Sequence, residues 1–126
     1  MKRVAVVEDN PDNRLLVRAI LEDVYEWREY ETGQAALAGL AAELPDVVLL
    51  DISLPGMDGT EVLGRLRADE RFRSLPVIAL TAHAMSGDRD RYLALGFNDY
   101  VTKPILDENE LLSAIERGLS TSENRP

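Results

Sequence analysis

The stretch "VVLLDISLPGMDG", Val47 to Gly59, decides the fold. Four apolar residues, two of them β-branched, run without interruption, stop at Asp51, and give way to a turn rich in proline and glycine. Such a run is too short for a helix and is bounded like a strand. Because its apolar residues are continuous rather than alternating, both faces must be buried, as in a parallel sheet covered by helices. Asp51 therefore ends a central strand with a carboxylate at the rim of the core.

The same signature recurs on either side. "RVAVV" (3–7) and "VIAL" (77–80) read as strands, and "WREYE" (27–31) and "NDYV" (98–101) as weaker ones. The segments between them carry helix signals. Asn10 caps the first helix, with Pro11 at its first position, Asp12 in its first turn, and Leu16, Ile20 and Val24 as its inward stripe. A second helix covers the Ala-rich "QAALAGLAAEL". Asp58 and Glu61 open a third like a capping box, ahead of Val62, Leu63 and Leu66. A fourth spans Ser86 to Leu95 and stops at Gly96. Asp107 and Glu110 introduce the fifth, which carries Leu111, Leu112, Ile115 and Leu119. Five strand–helix repeats specify an α/β doubly wound (βα)5 three-layer sandwich, flavodoxin-like, with parallel strand order 2-1-3-4-5. Residues 1–119 form the domain, and the polar segment 120–126 is expected to be a short flexible tail.

Bulk properties narrow the function. The 126 residues, 45% apolar and 29% charged, suit one soluble globular domain. Cysteine is absent, which excludes disulfides, thiolate metal sites and a cysteine nucleophile. A formal net charge of −9 argues against direct nucleic-acid binding. No apolar stretch approaches a transmembrane span, and the short run in "MKRVAVVEDN" ends in acids rather than a cleavage site, so a cytoplasmic protein is expected. The tail without a linker or DNA-binding segment favours a stand-alone protein.

In an open parallel sheet, ligands bind beyond the carboxyl ends of the strands. The residues there are Glu8 and Asp9, Asp51, Thr81 and Lys103. Three carboxylates at one rim repel each other unless a hard cation sits among them; Mg²⁺ (or Mn²⁺) takes such ligands. Lys103 suits a phosphoryl oxygen, Thr81 offers a hydroxyl, and an aspartate carboxylate is a competent nucleophile toward phosphorus.

Four segments, "VVEDN" (6–10), "VVLLDISLPGMDG" (47–59), "ALTA" (79–82) and "DYVTKPI" (99–105), together resemble the CheY-like receiver domain of two-component response regulators. The likeness extends from about Arg3 to Leu119. "TAHAMSGDRDR" is similar in style to the receivers of hybrid sensor kinases and of DivK-type single-domain regulators. The resemblance implies that Asp51 is the phosphoacceptor. It implies that Asp9, Asp51 and the main-chain carbonyl of Ser53 bind the metal directly, and Glu8 through a water. Thr81 and Lys103 would contact the phosphoryl group, and Tyr100 would be the aromatic switch that turns toward Thr81. Ser53, Ala82 and His83 would modulate access and phosphoryl lifetime. The donor would be a sensor histidine kinase or phosphotransfer protein. A downstream protein would read the face made by the fourth helix, fifth strand and fifth helix. Neither nucleic acid nor membrane is an expected partner, and the expected state is a monomer or weak dimer. The expected activity is that of a switch assisting its own phosphorylation and dephosphorylation, not an enzyme. Met57, Met85 and Trp27 are expected only to pack.

Rival classes fit less well. A phosphatase of the haloacid-dehalogenase type needs a second acid two residues after the nucleophile, where Ser53 stands. A nucleotide- or flavin-binding domain lacks its glycine-rich fingerprint here.

Overall fold

The computed structural model describes residues 1–82, 88–105 and 107–123. Five strands, β1 (Arg3–Val7), β2 (Glu26–Tyr30), β3 (Val47–Asp51), β4 (Val77–Thr81) and β5 (Asp99–Thr102), alternate with five helices. These are α1 (Pro11–Leu21), α2 (Gly33–Ala42), α3 (Gly59–Ala68), α4 (Asp88–Leu95) and α5 (Glu108–Glu123). All strand pairings are parallel, and the order is β2-β1-β3-β4-β5. The expected topology is thus the observed one.

The pleat divides the core into two layers, because successive side chains of a strand face opposite sides. Val4, Val6, Val47, Leu49, Ile78, Leu80 and Val101 pack with α1 and α5. Ala5, Val7, Val48, Leu50, Val77 and Ala79 pack with α2, α3 and α4. Every residue of β3 and β4 is buried, which explains the unbroken apolar runs Val47–Leu50 and Val77–Leu80.

The helix ends follow their predicted chemistry. The Asn10 side chain accepts from the backbone N–H groups of Asp12 and Asn13, at 2.8 and 3.2 Å. Asp58 accepts from Glu61 N–H at 3.0 Å. Gly96 takes a positive φ of 116° just beyond α4, a conformation cheap only for glycine.

Several local readings need correction. The inward stripe of α1 is Val17, Ile20 and Leu21; Leu16 and Val24 are 40% and 46% exposed. Val24 lies beyond the helix end, and Leu16 is turned toward the sheet rim near Lys103 and Ile105. β2 and β5 are shifted by one residue from the segments "WREYE" and "NDYV". α5 continues past residue 119 to Glu123, so the expected domain boundary falls inside that helix. The expected start of α4 at Ser86 lies outside the described residues.

Candidate functional site

The alternation of the pleat, followed to the carboxyl ends of the strands, explains the site. Glu8 continues the row Val4, Val6; Asp51 continues Val47, Leu49; Lys103 continues Val101. All three rows face α1 and α5. The rows converge: Lys103 Nζ lies 3.0 Å from Asp51 Oδ1 and 3.3 Å from Glu8 Oε2. Glu8, Asp9 and Asp51 each offer a carboxylate oxygen, and these oxygens all lie within 4.8 Å of one another. Glu8 and Asp51 are buried, and Asp9 is exposed at the mouth.

The loops hold these groups by backbone contacts. Arg14 Nη1 donates to the carbonyl oxygens of Glu8 (2.9 Å) and Asp9 (3.1 Å), bracing the turn between β1 and α1. Asn10 N–H and Asn13 Nδ2 donate to Glu8 Oε1, at 3.3 and 3.4 Å. Ser53 N–H donates to Asp51 Oδ1 at 3.1 Å. Gly59 lets α3 begin hard against this strand end. A Cβ there would stand 2.3 Å from the Asp51 carbonyl oxygen.

Electrostatics shows what the cluster lacks. Burial, then the charge of Asp51, pushes the Glu8 carboxyl up from its ordinary value, against the smaller pull of Lys103 and two hydrogen bonds. Burial pulls the Lys103 ammonium down, but the hydrogen bond to Asp51 and both carboxylate charges outweigh it, so its pKa is raised. One ammonium thus faces three carboxylates. Hard oxygen donors carrying surplus negative charge fit a hard divalent cation.

The residues expected at the site divide into two groups. Glu8, Asp9, Asp51 and Lys103 come together, with Ser53 beside Asp51. Thr81 belongs to the other pleat row, with Val77 and Ala79, and faces the α3–α4 layer. Its Oγ1 is 2.9 Å from the hydroxyl of Tyr92 on α4. Tyr100 also packs on that layer and is half-buried, its ring 5.8 Å from that of Tyr92. Ala82 is exposed. His83 and Met85 lie outside the described residues. Met57 is buried and Trp27 half-buried, both in packing positions. Asn13, Arg14 and Tyr92 were not anticipated; only the arginine and asparagine so near a capped helix start gave any signal.

Residues 4–116 match the protein-family model described as "Response regulator receiver domain". The chain belongs to the receiver domain family. This receiver is 44% identical over 117 residues to the Sensor protein GacS of Pseudomonas syringae pv. syringae, covering 90% of this chain and 13% of that protein. It is 43% identical over 105 residues to the Polar-differentiation response regulator DivK of Brucella ovis, covering 82% of this chain and 85% of DivK. In structure it is similar to the receiver domain of sensor histidine kinase PA1611 from Pseudomonas aeruginosa PAO1. That TM-score is 0.84 at 35% identity, covering 94% of this chain and 98% of the other. The PA1611 receiver is described with a magnesium ion coordinated in its active site cleft. The receiver described here is thus a signalling domain of two-component systems, not a classical enzyme. Among the described residues, no helix is long and apolar enough to cross a membrane.

Proposed function

We propose that this receiver accepts a phosphoryl group on Asp51 from a phosphohistidine of a sensor kinase or phosphotransfer protein. The observation that carries the reading is the buried Asp51 carboxylate, 3.0 Å from Lys103 and grouped with Glu8 and Asp9. An Asp51 oxygen forms the new bond to phosphorus as the P–N bond of the donor breaks. The bonding pair leaves with the imidazole nitrogen, which takes up a proton. Lys103 holds the Asp51 oxygen and then neutralises the arriving phosphoryl charge. Ser53 N–H and Lys103 keep the Asp51 carboxylate oriented for attack in line. Asp9, Asp51, the Ser53 carbonyl and, through water, Glu8 would hold Mg²⁺. The cation would screen the carboxylates from the phosphoryl oxygens and stabilise the charge that moves during transfer.

Thr81 would then donate its hydroxyl to a phosphoryl oxygen, and Tyr100 would follow it. This movement changes the α4–β5–α5 face offered to a downstream protein. The same geometry would admit a water for dephosphorylation, at a rate set by Ser53, Ala82 and His83. We place the protein in the cytoplasm, as a monomer or weak dimer working through protein contacts.

Adding Mg²⁺ and BeF₃⁻ tests this reading by NMR. The amides of Asp51, Thr81 and Tyr100 should shift in the wild type and stay still in Asp51→Asn or without Mg²⁺. A wild type that does not respond contradicts it.

A further inference from the structure

Thr81 is buried at the end of β4, yet its hydroxyl turns away from the carboxylates. The pleat accounts for this. Asp51, Glu8 and Lys103 lie on the rows that face α1 and α5, whereas Thr81 lies on the row that faces α3 and α4. β4 itself separates β3 from β5, and α4 packs against β5 and α3. Thr81 Oγ1 makes its 2.9 Å contact with the Tyr92 hydroxyl on α4, in the layer that its own row faces.

Tyr92 is built into this position. Its side chain is 1% exposed in a helix that is otherwise highly charged, and its ring meets Phe97 edge-on at 6.0 Å and Tyr100 at 5.8 Å. Arg91 stands 5.0 Å above the same ring, and its Nη2 donates to the Tyr92 oxygen at 3.2 Å. A guanidinium N–H on the phenol oxygen polarises the phenol O–H and makes it the better donor toward Thr81. The result is a chain, Arg91 to Tyr92 to Thr81, that tethers the end of β4 to α4.

We infer that Tyr92 is a positioning residue that holds Thr81 in the unphosphorylated arrangement and competes with the phosphoryl group for its hydroxyl. The inference rests on reading Asp51 as the phosphoacceptor. A phosphoryl group on Asp51 draws the Thr81 oxygen around the strand end, and the bond to Tyr92 is lost as it goes. The Tyr92 bond thus belongs to one state only and sets part of the switching equilibrium. Tyr100, packed on the Tyr92 ring, follows from the same release.

The test is a BeF₃⁻ titration of the full chain at saturating Mg²⁺, read by NMR, for wild type, Tyr92→Phe, Thr81→Val and the double variant. Tyr92→Phe keeps the ring packing and removes only the hydroxyl. It should bind BeF₃⁻ about two- to tenfold more tightly, the scale of one neutral hydrogen bond removed from the competing state. In the Thr81→Val background the same substitution should change affinity by less than about twofold. Unchanged or weaker binding by Tyr92→Phe overturns the inference, since a hydroxyl that merely relayed polarity to Thr81 would weaken binding when lost. An equal gain without the Thr81 hydroxyl overturns it as well. Failure of the underlying reading looks different: wild type and Asp51→Asn would then be alike, and neither would respond.

Discussion

Lys103 and Glu8 are where the chemistry of the site is most finely balanced. At 3.0 and 3.3 Å from Asp51 and Glu8, the Lys103 ammonium occupies the carboxylates that a cation would also use. Replacing it with the uncharged Lys103→Met should therefore tighten Mg²⁺ binding roughly tenfold, the scale of one charge-assisted hydrogen bond. The same variant should take up phosphate from acetyl phosphate more slowly, because the arriving phosphoryl charge has lost its partner. Calorimetric Mg²⁺ titration and labelling rates check the two halves. Weaker Mg²⁺ binding would contradict the competition. The acids and the lysine were legible in the sequence because each ends a strand or directly follows one. The tether on Thr81 was not, because a contact between a strand-end hydroxyl and a side chain of the next helix is set by tertiary packing and leaves no local pattern.

At the scale of elements, the start of α3 joins stability to function. Gly59 sits where any Cβ would meet the Asp51 carbonyl oxygen at 2.3 Å and Ile52 Cα at 2.8 Å, both backbone atoms that cannot step aside. Gly59→Ala should destabilise the fold by ~1–3 kcal/mol and disturb the Asp51 amide, as measured by urea melts and NMR. Asp58 caps the same helix. The Thr60 hydroxyl, then the Glu61 N–H, holds its carboxyl below the ordinary 3.8. A carboxyl depressed in the folded state stabilises above its unfolded pKa, and that contribution is lost as pH falls through the folded value. Asp58→Ala should thus cost about 1 kcal/mol at neutral pH, and the gap to wild type should close below pH 3.8. A gap that persists in strong acid would contradict the assignment. The capping residues of α1 and α3 were readable because caps are local. The buried stripe of α1 includes Ile20 as expected, but Val17 and Leu21 stand in it rather than Leu16 and Val24. Leu16 and Val17 are both apolar, and only the sheet decides which of them turns inward. Tyr92 was passed over for a related reason: its helix has almost no amphipathic contrast, so nothing in "DRDRYLAL" marked the side chain that the core would take.

The molecule as a whole behaves as a frame that gathers charge at one edge of its sheet. Strand order was legible because continuous apolar strands between capped helices admit few connections. The division of the rim into two rows was not drawn from the sequence, although the period of two contains it. Surplus carboxylates at that edge make the fold itself sensitive to cation. Free Mg²⁺ at ten times its dissociation constant should stabilise the native state by ~1.4 kcal/mol, seen as a rise in melting temperature. The rise should vanish in an Asp9→Asn, Asp51→Asn double variant; its survival there would place the cation elsewhere. The central claim, that the Asp51 carboxylate receives the phosphoryl group, is tested most directly by intact-mass and peptide-mapping measurements after incubation with acetyl phosphate and Mg²⁺. One phosphoryl group on the peptide that contains Asp51, absent in Asp51→Asn and absent when Mg²⁺ is chelated, is the predicted result. No uptake by the wild type, or equal uptake by Asp51→Asn, would contradict it.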